Sequence, residues 1–161
     1  ATWMTAPPIK PGSGILVKFL HEGSSVEFFL GQNEWASPEY HRFGGAMYGR
    51  ARMETTIWQG TDNDLSNQEM EGSLVFTEDH IYGLFIGVDK QGNFRFAAWL
   101  WDDPEQYVWH DFSGGADWQG GQWWFDVQVD QGSIVQIDDL HVITFSALEN
   151  LRSAAAAGIR P

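Results

Sequence analysis

From Ile15 onward the chain alternates apolar and polar residues in short runs, the two-residue period of half-buried strands. Ile15, Val17 and Phe19 share one side of the first run, and Val26, Phe28 and Leu30 one side of the second. The intervening His21-Glu22-Gly23-Ser24-Ser25 predicts a hairpin. Residues 31–45 read as a loop around Pro38 and Gly44-Gly45. One long strand follows over 46–58, with Met47, Ala51, Met53 and Ile57 on one face and Tyr48, Arg50, Arg52, Glu54 and Trp58 on the other. Residues 59–71 are polar and turn-rich, after which strands are predicted over 73–77, 81–89, 94–102, 107–112, 123–130 and 134–145. Turn residues separate them: Lys90-Gln91-Gly92-Asn93, Asp103-Pro104-Glu105 and Gln131-Gly132-Ser133, each closing a pair. The alternation slips between Val135, Ile137 and Leu140, Val142, which predicts a β-bulge at Asp138-Asp139.

The two ends differ from the middle. Pro7, Pro8 and Pro11 withhold backbone donors, so residues 1–14 read as an extended arm. Ser146-Ala147-Leu148-Glu149 matches a capping box, and the Ala- and Leu-rich run up to Gly158 predicts a C-terminal helix over 147–157. The whole, 1–161, reads as a single β-rich domain.

About eight or nine strands joined by tight hairpins must protect their edges, and local connections favour one antiparallel up-and-down barrel. The strand count, the size and the trailing helix resemble the layout of lipocalin-like, or calycin, barrels. The alternative is a two-layer β-sandwich or jelly roll, which needs longer crossovers. If Gln91-Gly92 is a hairpin tip, Ala97 lies opposite Ile86 and Trp99 opposite Leu84; a tip at Pro104-Glu105 then sets Trp99 opposite His110. One face of this patch carries Tyr82, Leu84, Ile86, Val88, Arg95, Ala97, Trp99, Trp101, Val108 and His110, and the reverse face carries Phe85, Phe94, Phe96 and Trp109. A sheet apolar on both faces calls for a cover on both.

Composition sharpens this picture in two places. Nine Trp, eleven Phe and four Tyr give a 15% aromatic share, more than a minimal core requires. The net charge of −13 opposes nucleic-acid phosphates and anionic membrane surfaces, so neither partner is expected. Without cysteine there is no disulfide, thiolate metal site or thiol nucleophile. His21, His41, His80, His110 and His141 lack the close spacing of a zinc site. Asp62, Asp64 and Ser66 open like a calcium loop, but Asn67 and Ser73 stand where the glycine and distal glutamate are needed. No metal or cofactor is expected, and no serine-hydrolase, phosphate-loop or dinucleotide motif is present.

The function expected from these features is a small-molecule-binding barrel with an aromatic-lined pocket for an apolar or aromatic ligand. Arg95, Trp99, Trp101 and Tyr82 are its candidate ligand-binding residues. Trp118, Trp123 and Trp124, among Gly114, Gly115, Gly120 and Gly121, form a candidate aromatic lip able to stack on a sugar or flat ligand; the competing reading sends Trp123 into the core with Phe125, Val127 and Val129 while Trp124 covers an edge. One alternative is an enzyme, a cyclase, isomerase or lyase acting by positioning and one acid or base. Its candidate catalytic residues are His110, Glu54, Tyr48 and Asp126. Another is a structural or virion assembly subunit, and a homo-oligomer is expected from the arm, the tail and the apolar patch.

Overall fold

The computed structural model describes residues 2–5, 8–23, 25–32, 41–48, 52–59, 62–77, 79–114, 118 and 121–146; for 2–5, 46–48, 52–59 and 62–69 it describes the backbone alone. The predicted helix over 147–157 lies outside these residues. Among the described residues, twelve antiparallel strands form two sheets. β1 (Thr2–Thr5), β3 (Ser25–Gln32), β4 (His41–Tyr48), β5 (Arg52–Gln59), β6 (Asp62–Glu69) and β11 (Trp124–Val129) make sheet 1, in the order β1-β11-β3-β4-β5-β6. β2 (Ser13–Glu22), β7 (Glu71–Ser73), β8 (Ile81–Val88), β9 (Asn93–Leu100), β10 (Asp103–Ser113) and β12 (Ile134–Thr144) make sheet 2, in the order β12-β2-β8-β9-β10-β7. Each sheet ends in two edge strands instead of closing on itself. The architecture is therefore the two-layer sandwich, not the barrel.

Two of the expected hairpins turn out to be crossovers, and this opens the barrel into layers. β2 and β3 lie in different sheets, as do β11 and β12. Gly23, at φ 112°, carries the first crossover beside the second, and Ser133 packs against it. Ser25 binds the two together: its N–H donates to Ser133 Oγ (3.3 Å) and its hydroxyl to the Asp130 carboxylate. The expected long strand over 46–58 is two paired strands, β4 and β5, and the expected loop at 41–45 belongs to β4. Four residues of the predicted N-terminal arm, Thr2–Thr5, pair with β11 as an edge strand, and Ile9 bridges to Trp123. The bulge forms where the pattern slips: the register shifts between Asp138 and Leu140, and Asp139 takes φ 55°.

Between the sheets lies an aromatic core. At one end Phe94 meets Trp123 edge-on at 4.8 Å and Trp118 at 5.3 Å, while Trp118 and Trp123 stack in parallel at 5.8 Å. At the other, Phe19 contacts Phe28 at 4.8 Å and Tyr82 contacts Phe76 at 4.8 Å. Near the middle, Phe96 of β9 lies across Gly45 of β4, where an added Cβ would come within 2.5 Å of the ring. Glycine at this position lets the opposite sheet's ring seat directly on backbone.

Candidate functional site

The register of β8, β9 and β10 decides which side chains meet. β8 and β9 close around a three-residue loop, Lys90-Gln91-Gly92, with Gly92 at φ 81° and the Asp89 carboxylate accepting the N–H groups of Gln91 and Asn93 at 2.9 Å. The loop is one residue longer than a Gln91-Gly92 tip, so Ala97 pairs with Phe85 and Trp99 with Gly83. At the next turn β10 begins at Asp103, and the irregularity falls between Asp103 and Tyr107, where Pro104 has no N–H for the ladder; Trp99 consequently faces Tyr107, not His110.

These shifts divide the expected constellation. Tyr82 and His110 share the inner face with Phe94 and Phe96, whereas Arg95 and Trp99 lie on the outer face with Phe85, Tyr107 and Trp109. Tyr82 is fully buried, and its hydroxyl accepts from the Thr77 N–H (2.8 Å) and donates to the Thr77 carbonyl (3.0 Å), so it anchors residues 75–77 and has no part in the outer patch. Trp118, 2% exposed, is a core residue and not a lip. Trp123, Phe125, Val127 and Val129 are buried in strict alternation, and half-buried Trp124 faces out of sheet 1 beside Gly31.

The four catalytic candidates do not assemble around one point. His110 is half-buried on the inner face of sheet 2. Asp126 alternates with the core residues Phe125 and Val127, which directs it outward from sheet 1, in register with Phe29. Tyr48 pairs with Ser25 and Arg52, and Glu54 with Ala46 and Glu69; their side chains lie outside the described residues. Burial lowers the His110 pKa, against the opposing pull of Asp111 and Glu71. A histidine whose folded pKa lies below its unfolded value, about 6.5, binds fewer protons folded than unfolded as the pH falls. Its contribution is complete above the unfolded pKa and is lost as the pH drops through the folded one. Urea melts between about pH 7.5 and about pH 5 are expected to show stability falling with acid, and His110→Gln is expected to flatten that slope. An unchanged slope would remove His110 as a cause.

What the structure does assemble is an aromatic strip on the outer face of sheet 2. Glycines alternating along β8 make it flat. Trp99 lies across Gly83, where a Cβ would come within 2.3 Å of the indole, and Phe85 lies across Gly14 and Gly87, with Phe145 edge-on above it at 5.9 Å. Trp109 lies one row from Trp99, alongside Ala97, and the Trp101 N–H donates to Ile81 at 2.9 Å, continuing the β9 ladder on the same face. Arg95 sits 6.0 Å above the Trp109 ring and grips Asp111 with two parallel hydrogen bonds, 2.6 and 2.8 Å. Lys18 holds its ammonium 4.9 Å above Trp101. Tyr107, Trp109 and Trp101 are partly exposed, and Trp99 is 7% exposed. Three of the expected ligand-binding residues, Arg95, Trp99 and Trp101, therefore share one face of β9 and its continuation, and Tyr107 and Trp109 join them there from β10. The alternation Gly83-Phe85-Gly87 was the sequence signal for this side of the sheet.

No family model matches the chain, and neither does any curated protein sequence. Solved structures share its fold. A tetrameric galectin from the ball sponge Cinachyrella superposes with a TM-score of 0.61 over 87% of this chain and 96% of its own, at 11% identity. The enzymatically active domain of bacteriophage CBA120 tailspike protein 2 gives 0.63 over 99% of this chain and 26% of its own, at 10% identity. Scytalido-glutamic peptidase gives 0.50 over 83% and 76%, at 9% identity. At such identities the likeness establishes a mainly antiparallel β-sandwich and leaves the chemistry to the residues themselves.

Proposed function

We propose that this chain is a binding module whose site is the outer face of sheet 2, and that its ligand is a saccharide. The observation that carries the reading is the strip Trp109, Tyr107, Trp99 and Trp101 beside the fixed Arg95–Asp111 pair. The apolar faces of sugar rings stack on indole, and their hydroxyls bond to planar charged groups held rigidly at the rim. An apolar ligand within the fold is less well supported, because aromatic side chains occupy the space between the sheets. A catalytic reading has less support again, since His110 and Asp126 lie on different faces of different sheets.

Titration with a saccharide panel, followed by tryptophan fluorescence and calorimetry, tests the proposal. Trp109→Ala is expected to weaken binding by about tenfold or more, roughly 1.4 kcal/mol, with the fold retained by circular dichroism. The apolar members of the same face, Leu16, Ile143 and Phe145, favour a second reading in which another copy of the chain covers it. In that case native mass spectrometry shows a discrete oligomer that Trp109→Ala dissociates, and no saccharide binds.

A further inference from the structure

We infer, on the basis of the saccharide reading above, that this face takes an uncharged oligosaccharide laid along β9 and β10, in preference to a single sugar or an acidic glycan. The first ground is length. Trp109 pairs with Ala97, and Trp101 lies four residues further along the β9 line. With a strand rise of about 3.3 Å and a strand spacing of about 4.8 Å, the two tryptophan backbones stand roughly 14 Å apart. One sugar ring reaches only one of them. Tyr107, partly exposed and paired with buried Trp99 in the row between, links the two, so a chain of rings lying along the strip passes from Trp109 over Tyr107 to Trp101.

The second ground is charge. The Arg and Lys described on this face are each engaged, Arg95 by Asp111 and the Trp109 ring, Lys18 by the Trp101 ring. The face also presents carboxylates to solvent. Asp111 keeps 44% of its side-chain surface, Glu71 is exposed in register with Trp109, and Asp138 is exposed in register with Lys18. Carboxylates accept from sugar hydroxyls, whereas a uronate or sulfate would meet like charge here and on a chain of net −13. The ligand complementary to such a face is rich in hydroxyl donors and carries no negative charge.

The test uses the full chain and an array of neutral glucan, xylan, mannan, galactan and chitin series from one to six units, with oligogalacturonates and heparin fragments of matched length. The expected result is at least about a tenfold rise in affinity from the single unit to the tetramer in the series that binds. Trp101→Ala and Trp109→Ala should each remove that gain while leaving the fold, read by circular dichroism, intact. Equal affinity for the single unit and the tetramer, or tighter binding of the acidic fragments, overturns the inference and leaves the saccharide reading standing. Silence across the whole array overturns both.

Discussion

Phe96→Ala is expected to lower the unfolding free energy by about 3–5 kcal/mol, the range for removing a fully buried aromatic ring. The residue is 0% exposed, and its ring lies on Gly45 of the opposite sheet, where there is no side chain to fill the space it leaves. Urea denaturation of the two proteins measures the difference. The result also decides the β8–β9 register: Phe96 faces inward only if the Lys90-Gln91-Gly92 loop holds three residues. A loss below about 1 kcal/mol, the scale of a surface substitution, would return Phe96 to the outer face and dissolve the strip.

Alternation alone made most of the strands legible, because a half-buried strand has a period of two whatever lies on either side of it. It could not distinguish a hairpin from a crossover. His21-Glu22-Gly23-Ser24-Ser25 and Gln131-Gly132-Ser133 have the composition of hairpin turns, yet each carries the chain from one sheet to the other. The bond from Ser25 to Asp130 that holds them side by side joins residues 105 positions apart. The glycine-rich start of β4 was read as a loop for a related reason. Gly44 and Gly45 look like turn residues until Phe29 and Phe96 are seen lying across them, contacts made across strands and across layers. As to the site, the residue types were readable and the grouping was not. Alternation puts Arg95, Trp99 and Trp101 on one face, but the β8–β9 loop, longer by one residue, takes Tyr82 off it, and a three-residue change at the β9–β10 turn sets Tyr107 in place of His110 and brings in Trp109. Such a slip transfers every side chain to the other face.

Trp123→Ala is expected to cost about 3–5 kcal/mol as well, and Trp123→Phe distinctly less. The indole is 0% exposed, packed edge-on against Phe94 and parallel to Trp118, so truncation leaves a large void. Its Nε1–H has no hydrogen-bond partner among the described residues, which makes the indole nitrogen itself a burden of about 1–3 kcal/mol. Phenylalanine keeps a ring between the same neighbours and removes that donor. Denaturant melts of the three proteins separate the two contributions. Equal losses from Ala and Phe would show that the N–H makes a stabilising bond.

The central claim is that ligand meets the outer face of sheet 2 and not the aromatic core. Its most direct test is the two-dimensional NMR spectrum of the indole N–H groups, assigned by single Trp→Phe variants and recorded as the tightest-binding saccharide is added. The signals of Trp99, Trp101 and Trp109 are expected to move with a common saturation curve while those of Trp118 and Trp123 stay in place. Movement confined to Trp118, Trp123 or Trp124, or no movement with any saccharide, would contradict it.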